Sequence, residues 1–123
     1  MREQKEADIL RVCLTWLKLN RVFCWRQNQG AISGEHNGKR RFLRFTSMAG
    51  VSDILGVLPP TGRVLAVECK RPGRKPTPEQ EAFLDIVRQY GGVGVCVHSI
   101  DELEQALIAA GYLGGGNGLA ASC

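Results

Sequence analysis

Three charged side chains break two otherwise apolar runs, at positions that a hairpin would bring together: Asp53, Glu68 and Lys70. The runs 52–58 and 63–70 flank Pro59-Pro60-Thr61-Gly62, a turn-rich break of the kind that joins antiparallel strands. With Leu58 facing Arg63 across that turn, Asp53 falls opposite Glu68. Side chains alternate along a strand, so Lys70 shares the face of Glu68. Two carboxylates facing each other across antiparallel strands repel unless something positive sits between them. A divalent cation meets that need, and a cation with an ammonium group alongside suits phosphodiester hydrolysis. A one-residue slip would send the two acids to opposite faces, so the reading rests on register.

Phosphodiester hydrolysis needs a nucleophilic water and an offset for charge on the transferring phosphoryl group. Mg²⁺ serves both needs and binds through one or two carboxylates together with waters and substrate phosphates. Asp53 and Glu68 are the candidate carboxylates, and the backbone carbonyl of Cys69 is a candidate third ligand. Lys70 is placed to hydrogen-bond the attacking water or to offset developing charge. The competing reading is a solvent-facing hairpin with an ordinary acid–lysine pair, because this spacing also arises by chance. Against it, the charges interrupt strongly apolar strands, and Ala49-Gly50 and Gly56 read as leaving room for a ligand.

At 123 residues the chain is read as one domain, with no apolar run near the roughly 18 residues of a membrane span. The first residues alternate charge and lack the apolar core of a signal peptide, so a cytoplasmic location and no membrane partner are expected. Five cysteines with no Cys-x-x-Cys spacing read as small reduced hydrophobes, and two histidines offer no zinc-ligand spacing. The net charge of +4 matters less than its placement. Lys39, Arg40, Arg41 and Arg44 precede Asp53, while Arg71, Arg74 and Lys75 follow Lys70. Both clusters flank the acids where phosphates would approach, although either cluster alone reads equally well as solvated surface.

Helical spacing of Leu10, Cys13, Leu14 and Leu17 predicts a helix over 3–19. Residues 22–25 read as a short strand, 27–38 as a loop, and 41–45 as an edge strand or strand extension. Thr77-Pro78-Glu79-Gln80 carries three helix-start signals, and Gly91-Gly92 ends that helix. Val93–Val97 reads as a strand buried on both faces, and Ser99 with Glu102 as a capping box opening a last helix to about residue 110. The expected fold is α/β: a mixed sheet flanked by helices, with residues 1–110 as the domain and 111–123 as a glycine-rich, mobile tail.

At this point the motifs match a known pattern. Gly50-Val51-Ser52-Asp53-Ile54-Leu55-Gly56, then Val67-Glu68-Cys69-Lys70-Arg71-Pro72-Gly73, then Thr77-Pro78-Glu79-Gln80, then Gly91-Gly92-Val93 resemble the VRR-NUC family. These are the virus-type replication-repair nucleases of the PD-(D/E)xK superfamily, and the likeness runs from about Glu6 to Leu107. It implies a restriction-endonuclease-like core in the order α-β-β-β-α-β and a DNA nuclease dependent on Mg²⁺ or Mn²⁺. Asp53, Glu68 and Lys70 match the family's catalytic triad. Glu6 resembles the acid contributed by the first helix, with Glu3 as the fallback, and Gln80 resembles the family's helix glutamine. Trp25-Arg26-Gln27-Asn28 also resembles relatives, and Asn28 either touches DNA or shapes a turn. Cys69 departs from the usual aliphatic residue, but only its carbonyl is asked for. Small stand-alone members resemble phage and bacterial Holliday junction resolvases, which implies a homodimer acting on branched DNA, in a bacterium or a phage-infected host cell. Flap cleavage, non-specific cleavage and a DNA-binding module without activity remain the alternatives.

Overall fold

Ile9, Leu10, Cys13 and Leu17 recur at helical spacing and are all buried, which makes Glu6–Leu19 the amphipathic helix α1. The computed structural model describes residues 5–27, the backbone of 31–36 and 39–44, and residues 48–113. Strand β1 (Phe23–Arg26) follows α1 after a tight turn in which the amide of Val22 donates to Leu17 O at 3.0 Å.

The expected loop at 27–38 is corrected here. Ala31–His36 forms β2 and Lys39–Arg44 forms β3, an antiparallel pair that makes its own two-stranded sheet. His36 registers with Lys39 and Glu35 with Arg40, and the second of these pairs sets an acid opposite a base. The intervening Asn37-Gly38 is the strongest short-range hairpin signal in the chain, and it outweighs the polar composition that reads as loop. The expected edge strand is therefore half of a separate hairpin and not part of the main sheet.

Ile54–Leu58 (β4) and Arg63–Cys69 (β5) form the hairpin anticipated from the turn, with Leu58 paired to Arg63 and Ile54 to Val67. Helix α2 (Pro78–Gln89) crosses over to β6 (Val93–Val97), which lies parallel to β5, and α3 (Ile100–Ala109) follows. The main sheet has the order β1-β4-β5-β6. One face (Cys24, Ile54, Leu58, Leu65, Val67, Cys69, Val93, Val97) packs on α1 and α3. The other carries Leu55, Ala66 and Cys96 against Phe83, Leu84 and Val87 of α2. Arg88 fastens that helix to the sheet edge, its Nε donating to Gly94 O at 2.8 Å. The mixed sheet flanked by helices is the α/β architecture expected.

Three finer expectations change. Val95 and Cys96 are only half-buried, because β6 is an edge strand and lacks a neighbour on one side. Glu102 does not close a capping box on Ser99. The Ser99 hydroxyl accepts from the Glu102 amide, but the Glu102 carboxylate turns to the amide and ring of His98. The expected tail begins with packed residues, since Tyr112 and Leu113 lie against the core and Arg63 donates to the Tyr112 hydroxyl at 3.3 Å. The rest of that tail, 114–123, lies outside the described residues.

The glycines beside Asp53 do not leave room for a ligand; backbone fills it. A Cβ on Gly50 would lie 2.3 Å from Glu79 O, and one on Gly56 would lie 2.9 Å from Phe23 O. Gly50 also sits at φ +80, so the approach of the 50–53 segment to the start of α2 depends on glycine. Gly50→Ala should therefore cost about 3 kcal/mol or more in urea unfolding. Gly73→Ala is the matched control, with φ +86 and open space around it, and should cost about 1–2 kcal/mol from backbone strain alone. Equal losses would mean that close packing at Gly50 contributes nothing.

Candidate active site

The site assembles on the sheet face that α2 covers. Glu68 alternates with Val67 and Cys69, which face α1 and α3, so its carboxyl projects toward α2. It is 2 % exposed, the only buried acid among the described residues. Asp53 sits one residue before β4, and its Oδ2 accepts from the Cys69 amide at 2.8 Å. The Gln27 amide donates to Asp53 O at 2.8 Å, so β1 holds the same residue from the other side. Asp53 and Glu68 thus lie on neighbouring strands with their carboxyl groups close enough to interact.

Gln80 serves two partners at once. Its Oε1 accepts from the Thr77 amide at 2.9 Å, closing the capping box of α2. Its Nε2 donates to Glu68 Oε1 at 3.2 Å. The glutamine at N3 both starts the helix and orients the buried acid. Lys70 is half-buried beside the pair and forms no ion pair with another described residue; its amide donates to Val97 O at 3.0 Å. Cys69 packs its side chain into the opposite core with Cys13, so only its backbone belongs to this face. The contact with Cys13 and its own burial both push the Cys69 thiol up, which keeps it protonated and unreactive.

Glu68 is pushed up to about 9, first by burial, then by the hydrogen bond and charge of Asp53. Lys70 opposes the shift, and Glu6, in the first turn of α1, adds a smaller rise. Glu6 is thus within electrostatic reach, but no three His, Cys, Asp or Glu side chains among the described residues converge as a metal cluster. Two buried oxygens receive no hydrogen bond from the described residues, Ser52 Oγ and Glu68 Oε2, and the Glu68 carboxyl meets Asp53 only by sharing a proton with it. One water satisfies a hydroxyl. A carboxylate oxygen beside a second carboxylate asks instead for a cation. Two carboxylates with a nearby carbonyl form a hard-oxygen donor set that fits Mg²⁺ or Mn²⁺.

The basic loop that follows Lys70 is latched. His98 Nε2 lies 2.8 Å from Arg74 O and Nδ1 lies 3.0 Å from Glu102 Oε1. Both partners are acceptors, so the ring donates to both only as the imidazolium, and those contacts raise its pKa. This contact is complete below the ordinary histidine value and is lost as pH rises through the raised one. Arg74 and Lys75 line an open cleft of about 550 Å³ with Cys96, which registers with Glu68 across β5 and β6.

The other candidates fall unevenly. Arg71 is half-buried, and Arg74 and Lys75 are exposed on the latched loop. Lys39, Arg40, Arg41 and Arg44 lie in β3, whose side chains are outside the described set, as are Asn28 and Glu3. Gln27 was not singled out by sequence, although its place beside Asp53 follows from continuing the β1–β4 register by one rung.

The VRR-NUC domain model matches residues 4–99 of the chain. No curated protein and no solved structure matches it.

In metal-free protein, native Glu68 keeps its proton until about 9 whereas the unfolded chain releases it near 4.5. Its burial therefore lowers stability progressively as pH rises between those values. Urea unfolding in EDTA should show Glu68→Gln more stable than wild type at pH 8, with the difference closing toward pH 4. Parallel stability curves for the two proteins would show that burial does not hold this carboxyl protonated.

Proposed function

The chain belongs to the VRR-NUC family of nucleases, whose substrate is DNA, and from that premise we propose that it is a divalent-metal-dependent endonuclease selective for branched DNA. The observation that carries the metal dependence is the pairing of Asp53 with a buried Glu68 whose Oε2 receives no hydrogen bond, beside the ammonium of Lys70. Asp53, Glu68 and the Cys69 carbonyl would hold Mg²⁺ or Mn²⁺, with Glu6 as a further acid of the site. A bound divalent ion would lower the pKa of water and offset charge on the transferring phosphoryl group.

The chain's own groups do the rest. Lys70 donates to the attacking water and faces the negative charge that builds on the phosphoryl oxygens. Gln80 donates to Glu68 Oε1 and orients that carboxyl, leaving its second oxygen free to serve as a ligand. Arg71, Arg74 and Lys75 bind the backbone on one flank, with their loop fixed by His98. Lys39, Arg40, Arg41 and Arg44 bind it from the β2–β3 hairpin, which follows β1 in the chain. Asn28 is a further DNA contact in this reading. Branched DNA has two strands to cut, so a homodimer with two sites related by a two-fold axis fits that substrate.

Single-strand, duplex, flap and four-way-junction DNA, each with Mg²⁺ or Mn²⁺, form the test panel. Cleavage should require metal and favour the four-way junction. Asp53→Ala, Glu68→Ala and Lys70→Ala should each lose at least about a hundredfold in rate while still binding DNA. Replacing Arg40 and Arg41 together by Ala should weaken binding and reduce its salt slope by about 2. Full activity in Asp53→Ala would refute the site, and a monomer that cuts only flaps would refute the junction reading.

A further inference from the structure

Two aromatic side chains stand exposed on the same sheet face as the acids. Trp25 registers with Leu55 and Phe23 with Val57, so both belong to the α2 face. Among the described residues that helix packs chiefly on β5 and β6, reaches β4 at Leu55, and leaves Phe23, Trp25 and Val57 exposed. There Phe23 is 72 % and Trp25 40 % exposed. Their ring centroids lie 5.7 Å apart at an interplanar angle of 55°, and Trp25 Nε1 donates to Gln27 Oε1 at 3.2 Å. The indole is thus tied to the residue whose amide holds Asp53. Two residues along a strand advance about 7 Å, and stacked nucleotides about 3.4 Å each. Trp25 is therefore within about two nucleotides of a phosphate held at Asp53.

We infer that Trp25, supported by Phe23, is a stacking platform for an unpaired base next to the scissile phosphate. This deepens the proposed function and rests on it: DNA with a splayed nucleotide at its branch point is preferred because that base has a seat on the sheet. Aromatic faces accept any base, so the platform reads DNA structure and not sequence. A protein partner lying flat on this face would cover the approach to Asp53 and Glu68, whereas a base reaching it from the bound strand does not. The basic groups flanking the acids favour the same polyanionic occupant.

Trp16→Phe leaves Trp25 as the only tryptophan, and its emission can be followed in EDTA with no cleavage. Forked DNA with unpaired thymidine arms should quench that emission saturably, and the blunt duplex of the same sequence should not. In the otherwise native chain, Trp25→Leu should weaken forked-DNA binding about tenfold and collapse the forked-to-blunt preference. Trp25→Phe should restore most of the preference, which a merely structural role would not do. Equal losses on both DNAs, unchanged emission, or a shift in oligomeric state with DNA affinity intact would each overturn the platform. A wild-type protein that cuts no DNA with Mn²⁺ yet shows the selective quenching would defeat the nuclease reading and leave the platform standing. Metal-dependent cleavage without quenching would do the reverse.

Discussion

A carboxyl group sealed inside a protein next to another carboxyl group is a constraint that the surrounding structure must answer. Glu68 is that group, and Asp53 is its neighbour. In water the pair would ionise and separate; here the hairpin fixes one acid by strand alternation and the other by a hydrogen bond from the Cys69 amide. The metal-free protein meets the conflict by keeping Glu68 protonated, and Lys70 only partly relieves it. Such an arrangement is costly as architecture and useful as a cation site, which is why the proposed chemistry is centred on it.

The neighbouring elements answer to the same pair. Gly50 lets the 50–53 segment press against the start of α2, and that contact sets Gln80 at the distance from which it donates to Glu68. Arg88 ties the other end of the helix to β6 through Gly94 O. Beyond the site, the register of β1 continues the row of acids into exposed aromatics on one side. On the opposite side, β6 leads to the cleft and the latched basic loop. Metal ligands, phosphate-binding cations and a seat for a base would then occupy one continuous surface.

Much of this was legible because local rules and tertiary packing agree. The Pro-Pro-Thr-Gly break set the hairpin register from which the Asp53–Glu68 pairing follows, and Thr77 with Gln80 announced α2. The β2–β3 hairpin was missed because its composition is polar, although Asn37-Gly38 marked it. Gly50 and Gly56 were misread because sequence shows that a glycine is present but not what fills the space beside it. The half-exposure of β6 depended on strand order, and the diversion of Glu102 on the ring of His98, the residue before the Ser99 cap, which competes with the cap amide for the carboxylate. The exposure of Phe23 and Trp25 was also invisible, since an aromatic strand reads as core until the extent of α2 on the sheet is known.

Whether the acids on adjoining strands grip a cation is most directly measured by titrating Mn²⁺ into the metal-free protein by calorimetry, without DNA. The account predicts saturable binding that disappears when Asp53→Asn and Glu68→Gln are combined, with the fold unchanged by circular dichroism. Equal Mn²⁺ affinity in the doubly substituted protein would contradict it.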